Sequence, residues 1–144
     1  MTVFCDTSVL VASCVRQHPH FSRSWPILDA VAHGRQEGYI SCHIFAEVYS
    51  SLTSLPIVPK ILPTEAERII FTNIRPHFRS ISITASMYEK AIDLCVRQSL
   101  PGGKIYDALL LECARKAQCE LIYTFNLSDF RKLAPDLSER IAAP

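Results

Sequence analysis

Apolar residues recur along the chain in two patterns, one typical of strands and one of helices. Short unbroken apolar runs bounded by polar residues predict buried strands at 2–6, 39–42, 78–84 and 120–124. Apolar residues spaced three or four apart predict helices at 8–17, 22–36, 43–55, 64–73, 86–98 and 106–118. Thr64 and Glu67 have the spacing of a capping box, which would begin the fourth helix at residue 64.

The order of these elements predicts an α/β fold. Pairs of helices separate successive strands, which favours a mainly parallel central sheet of four to five strands flanked by helices. Parallel strands are covered on both faces, and this accounts for their unbroken apolar runs. With 144 residues, of which 49% are hydrophobic, the chain has the size and apolar content of a single domain spanning 1–144.

Composition and charge exclude few kinds of function. The net charge of +1 neither requires nor excludes a nucleic-acid partner. No apolar run approaches the roughly 20 residues that span a bilayer, and the N-terminus lacks the basic segment of a signal peptide, so we expect no membrane association and a cytoplasmic location. The six cysteines form no Cys-x-x-Cys pair and are predicted to be reduced, mostly buried thiols.

Polar residues collect at the carboxyl edge of the predicted sheet, which is where open parallel sheets bind ligands. Asp6 ends the first strand, and Glu47 lies one turn into the helix after the second. The helix that begins near Asp107 runs back antiparallel to the last strand, so its N-terminus lies at the same edge. The last strand ends at Thr124 and is followed by Asn126 and Asp129.

These acids predict a metal site. Asp107 and Glu47 are flanked by apolar residues, and acidic side chains are rarely buried unless they are paired or bind a metal. Several carboxylates in one cleft repel each other and need a cation, and Mg²⁺ or Mn²⁺ prefers such oxygen ligands. Ions held in this way promote in-line displacement at phosphate, so the pattern favours a metal-dependent nuclease or phosphatase.

Each residue also has an ordinary structural explanation. Asp6 could cap the following helix, and Asp107 could complement the dipole of its own helix. Glu47 could pair with a Lys or Arg, while Asn126 and Asp129 could form a turn or cap. Only their coincidence at one sheet edge favours a shared site.

Four segments together resemble a PIN domain, and specifically the VapC-type ribonuclease toxins. They are "FCDTSVLVA" (4–12), "FAEVYSSL" (45–52), "GGKIYDALLLECA" (102–114) and "TFNLSDF" (124–130), and they span nearly the whole chain in order. The resemblance implies a Mg²⁺- or Mn²⁺-dependent endoribonuclease with a compact parallel-sheet domain. It also implies an RNA substrate, an antitoxin protein that covers the site, and a homodimer.

The resemblance assigns roles to individual residues. Asp6, Glu47 and Asp107 match the first three acidic positions of the family. Thr7 matches a hydroxyl residue that follows the first acid, and Thr124 resembles the residue that helps to position the acidic cluster.

The fourth acidic position departs from the family. Many relatives carry Asp where this chain carries Asn126, so Asp129 is the predicted fourth acid. Asn126 could still coordinate through its carbonyl oxygen or hold a water bound to the metal. We therefore hypothesise that one Mg²⁺ binds tightly and a second binds only with substrate.

Substrate contacts and competing functions remain open in the sequence. Lys104, Arg131 and Lys132 could contact phosphate, although each could equally be a solvated surface charge. The five histidines show no metal spacing and are given no role. A haloacid-dehalogenase-like phosphatase is disfavoured because Ser8 stands where that class needs a second Asp. A non-catalytic PIN-like interaction module is the other alternative.

Overall fold

One parallel sheet of five strands forms the centre of the molecule. The computed structural model describes residues 1–144. The strands are β1 (Thr2–Cys5), β2 (Glu37–Ser41), β3 (Phe78–Ile81), β4 (Leu121–Tyr123) and β5 (Ile141–Ala142). They lie in the order β3-β2-β1-β4-β5, and every neighbouring pair is parallel. The predicted α/β fold with a parallel sheet of four to five strands is confirmed.

Helices cover the sheet and connect its strands. They are α1 (Thr7–Cys14), α2 (Phe21–Ala32), α3 (Ile44–Ser54), α4 (Pro63–Ile69), α5 (Ala85–Arg97), α6 (Lys104–Ala117) and α7 (Leu127–Leu133). A π-helical turn over Ile70–Ile74 continues α4, and a 3₁₀ helix over Pro135–Arg140 precedes β5. No helix combines the length and the apolar character needed to cross a bilayer.

The core lies around the central strand β1. Val3, Phe4 and Cys5 are fully buried and belong to a cluster of 34 buried residues. All six cysteines are free thiols, and all are buried except Cys14, which is partly exposed, and Cys42, which is exposed. The prediction of reduced, mostly buried thiols is therefore confirmed.

The predicted capping box is wrong. The fourth helix begins at Pro63, and Leu62 precedes it without a side-chain cap. Proline suits the first helical position because its ring fixes φ and its missing N–H would have no helical partner there. Thr64 therefore lies inside the first turn, where its hydroxyl does not cap the helix.

Three other boundaries differ from the sequence patterns for identifiable reasons. Gly34 adopts φ 69° just after α2, so the helix ends at residue 32 and β2 begins two residues earlier than predicted. The third strand ends at Ile81, because the Thr84 hydroxyl accepts a hydrogen bond from the Met87 N–H at 3.3 Å and caps α5. β5 was not among the predicted strands.

Chain direction across the sheet reverses between β1 and β4. From β1 the chain adds β2 and β3 on one side, then returns to the other side of β1 with β4 and β5. A crevice forms at the carboxyl ends of the strands where such a reversal occurs. Cys5 is in register with Tyr123, so the next residues, Asp6 and Thr124, lie side by side at that crevice.

Candidate active site

A cleft of about 460 Å³ lies at the reversal point between β1 and β4. The three acids that the sequence placed first, Asp6, Glu47 and Asp107, all line it. They come from the end of β1, from α3 and from α6, so the fold brings together segments that are distant in sequence. The full lining consists of Asp6, Thr7, Ser8, Val11, His18, His20, Glu47, Ser51, Asp107, Leu110, Phe125 and Asn126.

Asp6 is both a helix cap and a buried member of the cleft. Its Oδ1 accepts the Ser8 N–H at 2.6 Å, which caps α1. Its Oδ2 accepts the Ser8 hydroxyl at 3.2 Å and the Thr124 hydroxyl. Burial raises the pKa of Asp6, while these donors oppose the rise by stabilising the carboxylate. The capping explanation and the predicted position in the site are therefore both compatible with this geometry.

Glu47 is held from one side only. The Thr7 hydroxyl donates to Glu47 Oε2 at 3.1 Å. His43 Nε2 lies 3.5 Å from Oε1 without hydrogen-bond geometry, so that buried oxygen has no donor. Burial raises the pKa of Glu47, and repulsion by Asp6 adds to the rise against the opposing effects of Thr7 and His43. Glu47 thus pairs with no Lys or Arg.

Asp107 lies in the first turn of α6, and its pKa is shifted by its surroundings in the cleft. Burial, and then repulsion from Asp6, raise its pKa to about 6. Asp129 and Glu47 add to the repulsion, while Lys104 opposes it. A carboxyl group with this pKa is partly protonated near neutral pH, because the fold places it among like charges.

The two polar residues after β4 have different surroundings. Asn126 is exposed at the N-cap position of α7, makes no side-chain cap and lines the cleft. Asp129 lies outside the lining, with its Oδ2 2.6 Å from the Lys104 ammonium. This ion pair lowers the pKa of Asp129. The role of Asp129 as the fourth acid stays a prediction.

The three residues predicted to contact phosphate also have different surroundings. Lys104 is paired with Asp129 at the start of α6. Arg131 donates to the Ile141 carbonyl at 2.8 Å, which ties α7 to β5. Lys132 is exposed and contributes to the lowered pKa of Asp129. Arg131 therefore has a structural partner, whereas Lys104 and Lys132 supply positive charge around the Asp129 carboxylate.

Aromatic residues are the part of the site that sequence reasoning missed. His18, His20 and Phe125 line the cleft, and His43 stacks on Tyr106 with centroids 5.8 Å apart. The histidines do not follow the spacing of any motif in the sequence, because they approach Phe125 only in the folded chain. The available signal was the position of Phe125 between Thr124 and Asn126, both of which the sequence had singled out.

The cleft supplies the kind of oxygen atom that a hard divalent cation binds. Buried acceptors without a donor are rare, and Glu47 Oε1 is such an atom, in a cleft whose carboxyl pKa values are raised by burial and mutual repulsion. Carboxylate oxygens are the ligands that Mg²⁺ and Mn²⁺ prefer. No group of three or more Cys, His, Asp or Glu side chains is close enough to enclose an ion. The chain thus offers ligands around an open cleft instead of a closed cage.

Three solved structures share this fold. VapC20 of Mycobacterium tuberculosis, described as a toxin that cleaves the sarcin–ricin loop, aligns with a TM-score of 0.70 at 19% identity over 90% of this chain and 93% of that one. VapBC2 of Rickettsia felis, bound to a DNA fragment from its promoter, gives 0.67 at 18% identity over 99% and 98%. FitAcB of Neisseria gonorrhoeae gives 0.64 at 15% identity over 91% and 92%.

Sequence comparison identifies the family. Ribonuclease VapC27 of Mycobacterium tuberculosis (strain ATCC 25618 / H37Rv) is 28% identical over 116 residues, which cover 81% of this chain and 79% of that protein. The family model described as "PIN domain" matches residues 3–135. This match removes the basis for the haloacid-dehalogenase-like alternative. Because the matched region is nearly the whole chain, the protein belongs to the PIN-domain family.

Proposed function

We propose that this protein is an endoribonuclease that hydrolyses RNA phosphodiester bonds and acts as the toxin of a toxin–antitoxin pair. The observation that carries the proposal is the meeting of Asp6, Glu47 and Asp107 in one cleft of a PIN domain. Similarity to a protein named ribonuclease VapC27 supports RNA as the substrate. The fold shared with VapC20, a toxin by its description, supports the same reaction class.

We propose Mg²⁺ or Mn²⁺ as the cofactor, held by Asp6, Glu47 and Asp107. When bound, the ion supplies Lewis acidity at the scissile phosphate and activates water for attack. Its positive charge would also offset the mutual repulsion that raises the pKa of Asp107. To bind the ion as the predicted fourth acid, Asp129 would have to do so while its carboxylate is paired with Lys104.

Hydroxyl groups around the acids position them for this role. Ser8 and Thr124 hold the two oxygens of Asp6, and Thr7 holds one oxygen of Glu47. Such hydrogen bonds fix the direction in which a carboxylate presents its free lone pairs. Thr124 also accepts the Asn126 N–H at 3.0 Å, which joins the loop after β4 to the same network.

We propose that the antitoxin docks in an apolar groove on α3, here named the α3 groove and defined by Phe45, Tyr49, Ile70 and Phe71. The same helix contributes Phe45 and Tyr49 to the groove and Glu47 to the cleft, so the groove and the cleft lie on different faces of α3. Phe71 is 62% exposed, which is unusual for a large apolar side chain with no partner. A protein segment anchored here by apolar residues would pack against α3, the helix that carries Glu47.

We also propose a homodimer formed through α5. Tyr88, Ile92 and Val96 are 45%, 54% and 70% exposed and follow one another at four-residue intervals, so they form one apolar stripe along the helix. Met87, Ala91 and Cys95 form the neighbouring stripe, about 100° around the helix, and are buried in the core, where α5 packs against α6. Two antiparallel copies would pair Ile92 with itself and Tyr88 with Val96, which is the self-complementarity that a two-fold interface requires.

Removal of either of two acids tests the proposed reaction. We expect Asp6→Asn and Asp107→Asn each to lower Mg²⁺-dependent RNA cleavage more than about 100-fold, because each removes a charged ligand, and Thr124→Val to lower it about 10–100-fold through loss of orientation. Asn keeps the capping geometry of position 6, so the first variant should fold. Cleavage of labelled tRNA and rRNA fragments provides the measurement.

The matched control is Asp93→Asn, an exposed acid paired with Arg97 on α5, which should cleave like the wild type. Undiminished activity in both acid variants, or activity insensitive to chelation of metal, would contradict the assignment. Failure of the wild-type protein to cut any RNA would favour the non-catalytic interaction module.

Burial of Asp107, together with repulsion from the neighbouring acids, makes the stability of the folded protein depend on pH. The pKa of Asp107 is about 6 in the folded protein against about 4 when unfolded, so protonation favours the folded state. This contribution is complete below about pH 4 and is lost as the pH rises through about 6. We expect Asp107→Asn to stabilise the metal-free protein at pH 7.5 by about 1 kcal/mol, after allowance for partial exposure, and by nothing at pH 4.

Thermal unfolding in EDTA at the two pH values measures this effect. Asp93→Asn should give no such gain, since Asp93 lies exposed beside Arg97 and outside the cluster. Equal stability of the Asp107→Asn variant and the wild type at pH 7.5 would show that burial and the neighbouring acids do not raise the pKa of Asp107 in the folded protein.

Substitution in the α3 groove tests the antitoxin site. We expect Phe71→Glu to weaken capture of the small protein encoded beside this gene by at least about 10-fold, because a charge would be buried against apolar anchors. RNA cleavage by the same variant should be unchanged, since Phe71 does not line the cleft. Val58→Glu, at a loop position 92% exposed, is the control. Full capture of the neighbouring protein by the Phe71→Glu variant would place its binding site elsewhere.

Substitution on the α5 stripe tests the dimer. We expect the wild type to sediment as a dimer and Ile92→Glu as a folded monomer, because two like charges would meet at the two-fold axis. Val58→Glu again adds a charge at an exposed apolar position and should remain dimeric. A wild type that sediments as a monomer at its highest soluble concentration would refute the interface.

A further inference from the structure

Three aromatic rings line the cleft beside the acids, and the proposed ion site uses none of them. We infer that His18, His20 and Phe125 hold an unpaired nucleobase of the RNA next to the scissile phosphate; the inference rests on the proposed function. The three residues are here named the base platform. They would bind the substrate, while the acids perform the hydrolysis.

Stacking already organises the base platform. The His20 ring lies on the Phe125 ring with centroids 4.5 Å apart and planes at 23°. The His18 ring is 5.8 Å from that of His20 and tilted by 45°, so it forms a side wall. All three residues are partly exposed and line the cleft, so their rings present surface to a ligand within it.

Hydrogen bonds connect the base platform to Asp6 through Ser8 and the loop after β4. The Phe125 N–H donates to the Ser8 hydroxyl at 3.3 Å, and that hydroxyl donates to Asp6. Phe125 also directly follows Thr124, whose own hydroxyl donates to Asp6. A base resting on these rings would therefore be held by the loop after β4, which also orients Asp6.

His18 adds a directional polar group. Its Nδ1 accepts the His20 backbone N–H at 3.1 Å, so a neutral ring carries its proton on Nε2 and donates from there. Burial, followed by repulsion from His20, lowers the pKa of His18, which favours this neutral form at physiological pH. A neutral N–H donor suits the carbonyl or ring nitrogen of a base, or a ribose 2′-hydroxyl.

A positive charge lies against the Phe125 ring, on a residue outside the lining of the cleft. The Arg23 guanidinium carbon lies 5.5 Å from the Phe125 centroid and two hydrogen bonds, of 3.1 and 2.9 Å, join Arg23 to the Pro144 carbonyl. Rings combined with a nearby cation are the usual means of holding single-stranded nucleic acid. Since a base in a duplex is stacked between its neighbours and cannot rest on protein rings, the base platform selects loops and unpaired segments as substrate.

Kinetics of His20 variants test the inference. We expect His20→Ala to raise KM for an unpaired RNA oligonucleotide about 10-fold with kcat unchanged, and His20→Phe to restore KM, because stacking requires only an aromatic face. His20 makes no side-chain cap on α2, so its replacement leaves the helix start intact. His33→Ala is the matched control, since His33 is an exposed histidine beside Asp29 at the other end of α2. A KM for His20→Ala equal to that of the wild type would overturn the inference, as would a fall confined to kcat.

Abasic substrates identify the contact directly. RNA that lacks one base at the position seated on the platform should bind the wild type about 10-fold more weakly, and should bind His20→Ala with no further loss, because the two changes remove one interaction. Additive losses at every position would contradict a base platform. So would platform variants that weaken binding of the neighbouring small protein and leave RNA binding intact, which would make these rings a protein contact.

Binding measurements separate this inference from the proposed function. Fluorescence anisotropy with the Asp107→Asn variant in EDTA reports RNA binding without cleavage. If the wild type cuts no RNA and the oligonucleotide still binds in a His20-dependent manner, the platform stands and the nuclease proposal fails. If the wild type cuts RNA and His20 has no effect on binding, the nuclease proposal stands and the platform fails.

Discussion

Burial of the Asp6 carboxylate at the carboxyl end of the central strand is the constraint on which the rest of the cleft depends. A buried carboxylate is costly unless several donors satisfy it, and here Ser8 supplies two and Thr124 a third. Thr124 can reach Asp6 only because β4 pairs with β1 in parallel and in register. The parallel pairing of β4 with β1 therefore also supplies one of the hydrogen-bond donors that the buried carboxylate requires.

Because these hydrogen-bond donors are engaged with Asp6, the other two acids have fewer donors to satisfy them. Ser8 and Thr124 are engaged with Asp6, so Glu47 receives only Thr7 and keeps one buried oxygen without a partner. The pKa of Asp107 is raised to about 6 by burial and repulsion. Carboxyl groups with raised pKa values and an unsatisfied buried oxygen are typical of sites where stability is given up for activity.

Sequence patterns predicted the elements and the three acids because both depend on local order. Asp6 follows a short apolar run, and Asp107 begins an amphipathic helix, so each position was visible without the fold. The strand order was not encoded locally, and β5, with two residues, is too short for any alternation to mark it. The capping box failed because Pro63 competes for the helix start, which shows that a motif predicts a boundary only when no stronger signal adjoins it.

The base platform could not have been predicted from spacing, since it joins the loop between α1 and α2 to the loop after β4, more than a hundred residues away. The residues of the base platform also lie in a different kind of structural position from the acids. Asp6 lies at the end of a buried strand, where a change disturbs the core, while His18 and His20 lie in a connecting loop that can vary without that cost. In the proposed function a rigid sheet edge would carry the chemistry, and an adjacent loop would determine which RNA reaches it. This division allows one fold to keep its reaction while its substrate changes.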